Sequence, residues 1–259
     1  MEICLRTIQV TELECLKEIK RVCTKKQLSY CLAYGSMLGA VRHKGFIPWD
    51  DDLDIYMYYR DAQSIGKYIN QDEFFLQTPK TDSKSPFIYY KLRKNHTEMI
   101  EEQYRNLDIH HGVWVDIFLC YDAANSELGR KLQHKLSIIQ QAIRVRWYDK
   151  SIHKKGSIAF IVTHMPGFVA VASEKIMQLL IRLLGSKKSS YLFVPCNETF
   201  EHSFLDRCFW NHMSEYEFEH EYFTGVANYD EYLKWQYGDN YMTPIRYGSH
   251  TDFENVSIE

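Results

Sequence analysis

The spacing of apolar and polar residues divides the chain into a mixed strand and helix first half and a mainly helical second half. Leu13, Leu16, Ile19, Val22 and Cys23 recur at helical intervals, and Thr11 with Glu14 three residues later has the form of a capping box, so the pattern predicts a helix over 11–26. The apolar and aromatic run 28–34 reads as a strand ended by Gly35, and a short helix over 37–44 follows, with Arg42, His43 and Lys44 in its last turn and Gly45 as its stop. Over 52–58 the period changes to two: Leu53, Ile55 and Met57 point to one face and Asp52, Asp54 and Tyr56 to the other. A short helix over 61–69 and strands over 87–92 and 113–119 complete the first half.

Beyond it, the pattern predicts a helix over 126–148, an apolar helical pair over 158–184 with Ser173 as cap and Gly185 as stop, and a last helix capped by Asp230 and ended by Gly238. The stretch 158–184 is the most membrane-like, yet His164, Pro166, Glu174 and Lys175 interrupt it before the roughly 20 apolar residues that a spanning helix needs. A buried helical pair is the expectation, with an interfacial surface suited to a lipid-linked acceptor as the alternative. With no repeat and no low-complexity linker, the chain reads as one α+β catalytic domain, 1–259: a mixed-sheet core over 1–122 and a helical, aromatic-rich region over 123–259 packed on it.

Composition narrows the partners. At 259 residues and 45% hydrophobic, the chain can bury a substantial core. Its 31 basic and 34 acidic residues leave a formal charge of -3, too small a field to gather nucleic acid or an anionic surface, so an anionic ligand must be held by local groups. Seven scattered cysteines without a Cys-x-x-Cys pair read as reduced thiols, and the first residues meet the polar run Thr11 to Glu14 before any signal-peptide apolar region forms. The cytoplasm, or the inner face of its membrane, is the expected compartment.

The candidate chemistry lies in Tyr34-Gly35-Ser36 and in Asp50-Asp51-Asp52-Leu53-Asp54. A strand ending in Gly-Ser at a helix start offers backbone N–H groups and a hydroxyl to a phosphate. Asp52 and Asp54 fall on one strand face, where a hard cation such as Mg²⁺ takes one or two carboxylate oxygens together with phosphate oxygens. Asp116 is a lone carboxylate in an apolar strand, where a charge is costly unless a metal, a cation or a proton meets it. If its strand neighbours that of Asp52, the three carboxylates surround one cation site. A calcium loop is excluded, because no Gly stands at the sharp-turn position and no Glu closes a twelve-residue loop. A haloacid-dehalogenase phosphatase would place Thr or Val after its Asp-x-Asp and has no use for the upstream Gly-Ser.

The stretch 34–56, YGSMLGAVRHKGFIPWDDDLDIY, resembles the signature of the LicD/fukutin phosphotransferases, a family with a nucleotidyltransferase-like fold. Tyr90-Lys91-Leu92-Arg93 with Asn95 and Thr97, then Val115-Asp116-Ile117-Phe118, then Tyr237-Gly238-Asp239-Asn240-Tyr241-Met242-Thr243-Pro244, resemble it in order, while 126–194 carries no such motif. The resemblance implies Asp52 and Asp54 as ligands of Mg²⁺ or Mn²⁺, Asp116 as third ligand or general base, Gly35 and Ser36 at the donor phosphates, and Arg42, Lys44, Lys91 and Arg93 offsetting phosphate charge. One departure is that Leu119-Cys120-Tyr121-Asp122 stands where the family usually continues with Pro and an acidic residue.

Bacterial members of the family transfer phosphocholine from CDP-choline to sugars of cell-surface glycans, such as teichoic acid or lipopolysaccharide, releasing CMP. The resemblance therefore implies a CDP-choline or related CDP-alcohol donor and a glycan or lipid-linked glycan acceptor. Trp49, Tyr56 and Trp114 are candidates for the aromatic cage that a quaternary ammonium needs. The alternatives are a Mn²⁺-dependent glycosyltransferase using a nucleotide sugar and a non-catalytic nucleotide-binding module. Nucleic acid is not expected as a partner, since no basic stripe accompanies the site.

Overall fold

Two apolar strand faces organise the computed structural model, which describes residues 5–148, 165–197, 199–245 and 256–258. The first half supplies β1 (Tyr30–Leu32), β2 (Asp54–Tyr58), β3 (Phe74–Gln77), β4 (Tyr90–Lys94), β5 (Thr97–Met99) and β6 (Trp114–Asp122). Five of these form a sheet in the order β1-β2-β6-β4-β3, parallel between β2 and β6 and antiparallel at the other pairings. Leu53, Ile55 and Met57 beside Val115, Ile117 and Leu119 are fully buried on one face of this mixed sheet. Each such side chain contributes roughly 1.5–3 kcal/mol by leaving water, so this face can hold the sheet together while the other carries charge.

Helix α1 (Leu5–Lys26) packs across β4 and β6, and α3 (Tyr59–Ile65) across β2 and β6. The predicted start of α1 is corrected by six residues: Thr11 lies inside the helix, and its hydroxyl donates to the carbonyl of Thr7 at 2.9 Å instead of capping. Burial of Ile8 with Met99, Val113 and Trp114 explains the extension, because tertiary packing outweighs a local capping preference. Helix α2 (Tyr34–His43) follows β1 after Ala33 alone, and Lys44, in the left-handed region at φ 56°, ends it one residue before Gly45.

Helix predominates in the second half, which also supplies strands too short to show an alternation. They are β7 (Tyr191–Phe193), which extends the sheet along the far end of β6, β8 (Phe204–Asp206) beside it, and the hairpin β9 (Met213–Phe218) and β10 (Glu221–Val226). The last, β11 (Val256–Ile258), pairs with β5. Helices α4 (Glu127–Tyr148) and α5 (Gly167–Leu184) pack on each other. Short α6 (Arg207–Asn211) and α7 (Tyr229–Tyr237) complete the chain, and Asn228 rather than Asp230 occupies the cap position of α7.

The apolar pair differs from expectation. Ser173 lies within α5, whose cap position is held by Pro166, and residues 158–164 fall outside the described residues. Of α5, Ala170 and Ile181 are buried, whereas Phe168, Ile176, Leu179 and Leu183 are exposed, as are Leu128, Leu132, Ile138 and Ile139 of α4. One face of each helix meets the other, and the outer faces carry no protein layer among the described residues. No helix among these residues is long and apolar enough to cross a membrane.

The turn after α2 depends on a close backbone approach. A Cβ on Gly39 would lie 2.5 Å from the carbonyl oxygen of Gly45 and 3.3 Å from the nitrogen of Ile47, and neither atom can swing aside as a side chain would. Gly39→Ala is therefore expected to lower stability by about 1–3 kcal/mol, the usual scale of overpacking. Urea unfolding monitored by tryptophan fluorescence measures it, and an unchanged midpoint would show that the turn relaxes freely.

Candidate functional site

The site begins at a strained turn. Tyr34 joins β1 to α2 at φ 42°, a conformation that costs a bulky residue roughly 1–3 kcal/mol and persists only when its surroundings hold it. The holding groups come from the second half of the chain. The Tyr34 N–H donates to the Tyr232 hydroxyl at 3.0 Å, and the Tyr34 hydroxyl donates to Asn197 Oδ1 at 3.1 Å. Its ring also meets Tyr56 and Phe118 edge-on at 5.1 and 5.0 Å. This turn aims Gly35 and Ser36 at the acidic loop. The hydroxyl of Ser36 accepts the N–H of Asp54 at 2.7 Å, and a Cβ on Gly35 would come within 2.8 Å of Asp50 Oδ2. In the structure both residues seat the acidic loop, Gly35 by making room for a carboxylate.

Strand register then lines up the charges. Asp54 of β2 stands opposite Asp116 of β6, and Asp116 stands opposite Lys91 of β4. Registered partners share a sheet face, so the three form one row across three strands. The Asp116 N–H donates to the Leu53 carbonyl at 2.9 Å, which ties the acidic loop to β6. Lys91, only 1% exposed, places its ammonium 3.1 Å from Asp116 Oδ1 as a charge contact, with the aligned hydrogen bond to Oδ2 longer, at 3.5 Å. Glu101 Oε2 lies 3.6 Å from the same ammonium.

Burial is the largest influence on the acidic groups. It pushes the Asp54 carboxyl well above the carboxylate range, with Asp52 and Asp116 adding to the effect. It raises Asp116 as well, opposed by Lys91. Asp50 is pushed up to about 7 by burial, then by Asp52 and Asp51, against the pull of Arg42.

The predicted cations separate into those at the site and those elsewhere. Lys91 is in the row, and Arg42 acts on Asp50 while donating to the Tyr241 carbonyl at 3.1 Å. Lys44 is not brought in: its exposed side chain pairs with Glu217 of the hairpin at 2.9 Å, because the left-handed turn at Lys44 directs it there. Arg93 is buried and committed, donating at 2.7 Å to both Gln77 Oε1 and the Gly112 carbonyl. Trp114 is likewise taken, with the Lys91 ammonium 3.9 Å from its ring centre and the Arg93 guanidinium 4.9 Å. A ring that already faces two of the protein's own cations is a poor wall for a quaternary ammonium. Asp122, at the far end of β6, pairs with Arg207 at 2.8 Å.

Sequence reasoning missed Glu12. It lies on α1 between Ile8 and Leu16, at a position of the inward apolar stripe, and a carboxylate at such a position is the signal that could have found it. It is completely buried, and neither carboxylate oxygen has a hydrogen-bond partner.

Among the described residues no three His, Cys, Asp or Glu side chains converge as a ready-made metal group. The fit of a divalent cation would rest instead on donor chemistry: hard carboxylate oxygens that raise one another's proton affinity, and the partnerless oxygens of Glu12, on which the same aspartates act. Hard oxygen donors of this kind are the class that Mg²⁺ or Mn²⁺ would take.

Comparison with known proteins covers the same stretch of chain. The model of the LicD/FKTN/FKRP nucleotidyltransferase domain matches residues 27–167, which include β1, the strained turn, the acidic loop and the whole charge row. The lipopolysaccharide cholinephosphotransferase LicD of Haemophilus influenzae is 25% identical over 254 residues, covering 93% of this chain and 92% of the relative. An uncharacterized protein of Rickettsia typhi is 29% identical over 101 residues, 35% of this chain and 32% of its own.

The row has a measurable energetic signature. Removing one partner of a buried ion pair strands the other, at a cost of roughly 3–5 kcal/mol. Lys91→Met is expected to destabilise on that scale, and adding Asp116→Asn should restore much of the loss. A double-mutant cycle by urea denaturation tests it, and simple additivity would show that the two charges are independent.

Proposed function

The chain belongs to the LicD/FKTN/FKRP nucleotidyltransferase-domain family, and on that premise we propose that it is a phosphotransferase that moves phosphocholine, or a similar phospho-alcohol, from a CDP-linked donor to a hydroxyl of a cell-surface glycan precursor. The carrying observation is the row Asp54, Asp116, Lys91 on one sheet face, entered by the Gly35-Ser36 turn. The relative of Haemophilus influenzae, matched over most of both chains, is a cholinephosphotransferase acting on lipopolysaccharide, which favours phosphocholine as the group moved.

In this reading Asp52, Asp54 and Asp116 would hold a divalent cation, which supplies charge neutralisation for the donor phosphates. Asp116 also faces the acceptor. Its raised proton affinity suits it to take the hydroxyl proton as the sugar oxygen forms its bond to phosphorus and the bond to the departing CMP oxygen breaks. Lys91 keeps Asp116 oriented and its charge compensated, and Arg42 lies where it can meet phosphate oxygens at the edge of the acidic loop. The working compartment in this reading is the cytoplasm, consistent with buried free thiols at Cys15, Cys23, Cys31 and Cys120.

Phosphorus NMR of the protein with CDP-choline, CDP-ribitol or CDP-glycerol, in Mg²⁺ or Mn²⁺, tests the reaction. CMP should accumulate with one of these donors, and consumption of a nucleotide sugar instead would overturn the proposal. Asp116→Asn should lower turnover by roughly 10² or more while donor binding weakens modestly, since a general base acts in the chemical step. Parallel collapse of affinity and rate would make Asp116 chiefly a ligand.

The exposed apolar faces of α4 and α5 support a lipid-linked acceptor met at the membrane surface. The protein should then sediment with phospholipid vesicles, and Phe168→Asp with Leu183→Asp should release it. Wild-type protein that stays in the supernatant would remove the membrane from the reading.

A further inference from the structure

Burying a carboxylate costs several kcal/mol even after the protein relaxes around it, and that cost is met when hydrogen-bond donors or a cation surround the group. Glu12 has no such donor: both oxygens lie out of contact with water and without a partner, at a helix position where leucine would pack. A carboxylate placed there for packing or for fixing the helix would be a liability, so its surroundings have to account for it.

Those surroundings are set one turn earlier on α1. The Gln9 side chain donates to the Asp50 carbonyl at 2.9 Å and to the Ile47 carbonyl at 3.5 Å, which pins the helix against the loop that carries Asp50, Asp51 and Asp52. Glu12, three residues on, shares that helix face. The strongest charges acting on it are, in order, Asp52, Asp51, Asp50 and Asp116, all of them negative. The fold thus brings a third segment, far upstream of the acidic loop, within electrostatic range of the carboxylates of that loop and of β6.

We infer that Glu12 is a further carboxylate of the cation site, carried in by the N-terminal helix, where its charge strengthens the hold on a divalent metal ion of the Mg²⁺ or Mn²⁺ class. The inference rests on the reading that Asp52, Asp54 and Asp116 hold such an ion. A divalent charge supplies what the protein leaves out, a positive group among carboxylates that otherwise repel one another.

Manganese titration by calorimetry and by electron paramagnetic resonance, without any donor nucleotide, tests this on the full chain. Glu12→Gln is expected to weaken Mn²⁺ binding by roughly 10-fold or more, the scale seen when a group supporting a metal site is removed. It should also leave the thermal midpoint of the metal-free protein unchanged or higher, because it relieves a buried repulsion. Glu12→Leu should do the same and guards against an outcome peculiar to the amide. Wild type and Asp52→Asn with Asp54→Asn serve as references. If wild type binds no manganese, the cation reading fails and this inference with it. If wild type binds, the double variant does not, and Glu12→Gln binds as tightly as wild type, the cation reading stands and Glu12 is excluded. Loss of metal-free stability in both Glu12 variants with unaltered manganese affinity would make it a structural group.

Discussion

Negative charge buried on one sheet face is the constraint to which much of this structure answers. Asp54 and Asp116 are each less than a tenth exposed, and in so dry a setting two carboxylates side by side repel strongly. The fold compensates on one side with Lys91, delivered by β4 through its antiparallel register with β6. Lys91 is itself stripped of water, and the rings of Trp114 at 3.9 Å and Phe87 at 4.3 Å replace part of its hydration with aromatic faces. On the other side, toward the acidic loop and Glu12, no buried cation stands in the row among the described residues, and Arg42 acts only on Asp50 at the loop's edge. That asymmetry leaves the negative charge on this side without a protein cation to offset it.

The opposite sheet face makes this arrangement affordable. A continuous layer of Ile, Leu, Val and Met side chains from β2 and β6 meets α1 and α3, and its burial holds the strands in register without help from the charged side. A one-residue slip of β2 against β6 would turn Asp54 into that layer and Ile55 out of it. The apolar face therefore fixes the positions of the charges indirectly, by penalising any other register.

The second half of the chain is joined to the site through braces. Tyr232 of α7 accepts the N–H of the strained Tyr34, Asn197 accepts its hydroxyl, and the Tyr241 carbonyl accepts from Arg42. Tyr241 in turn donates its hydroxyl to Asp230 at 2.8 Å. Within the aromatic segment Tyr237-Gly238-Asp239-Asn240-Tyr241, Tyr241 thus touches the site through Arg42, while the turn itself is held by Tyr232 and Asn197.

Local sequence determined a good deal here. Period-two alternation over 52–58 assigned Leu53, Ile55 and Met57 to the core and Asp52 and Asp54 to the other face, because side-chain direction along a strand follows from covalent geometry. The isolation of Asp116 among apolar residues marked it as a charge in need of a partner, and the Gly-Ser turn is where the chain comes up to the acidic loop. Identity of the partners was not legible, since it depends on which strands become neighbours. Lys91 looked like any of several cations until register set it against Asp116, while Lys44, equally basic, was turned to the hairpin by a left-handed residue. The capping signal at Thr11 was overruled by burial of Ile8, and Glu12 was one glutamate in an amphipathic helix until the docking of α1 sealed it from water. Sequence spacing fixes which way a side chain points along its own element; only the packing of elements decides what it meets, because the cost of a buried charge is set by neighbours that are distant in the chain.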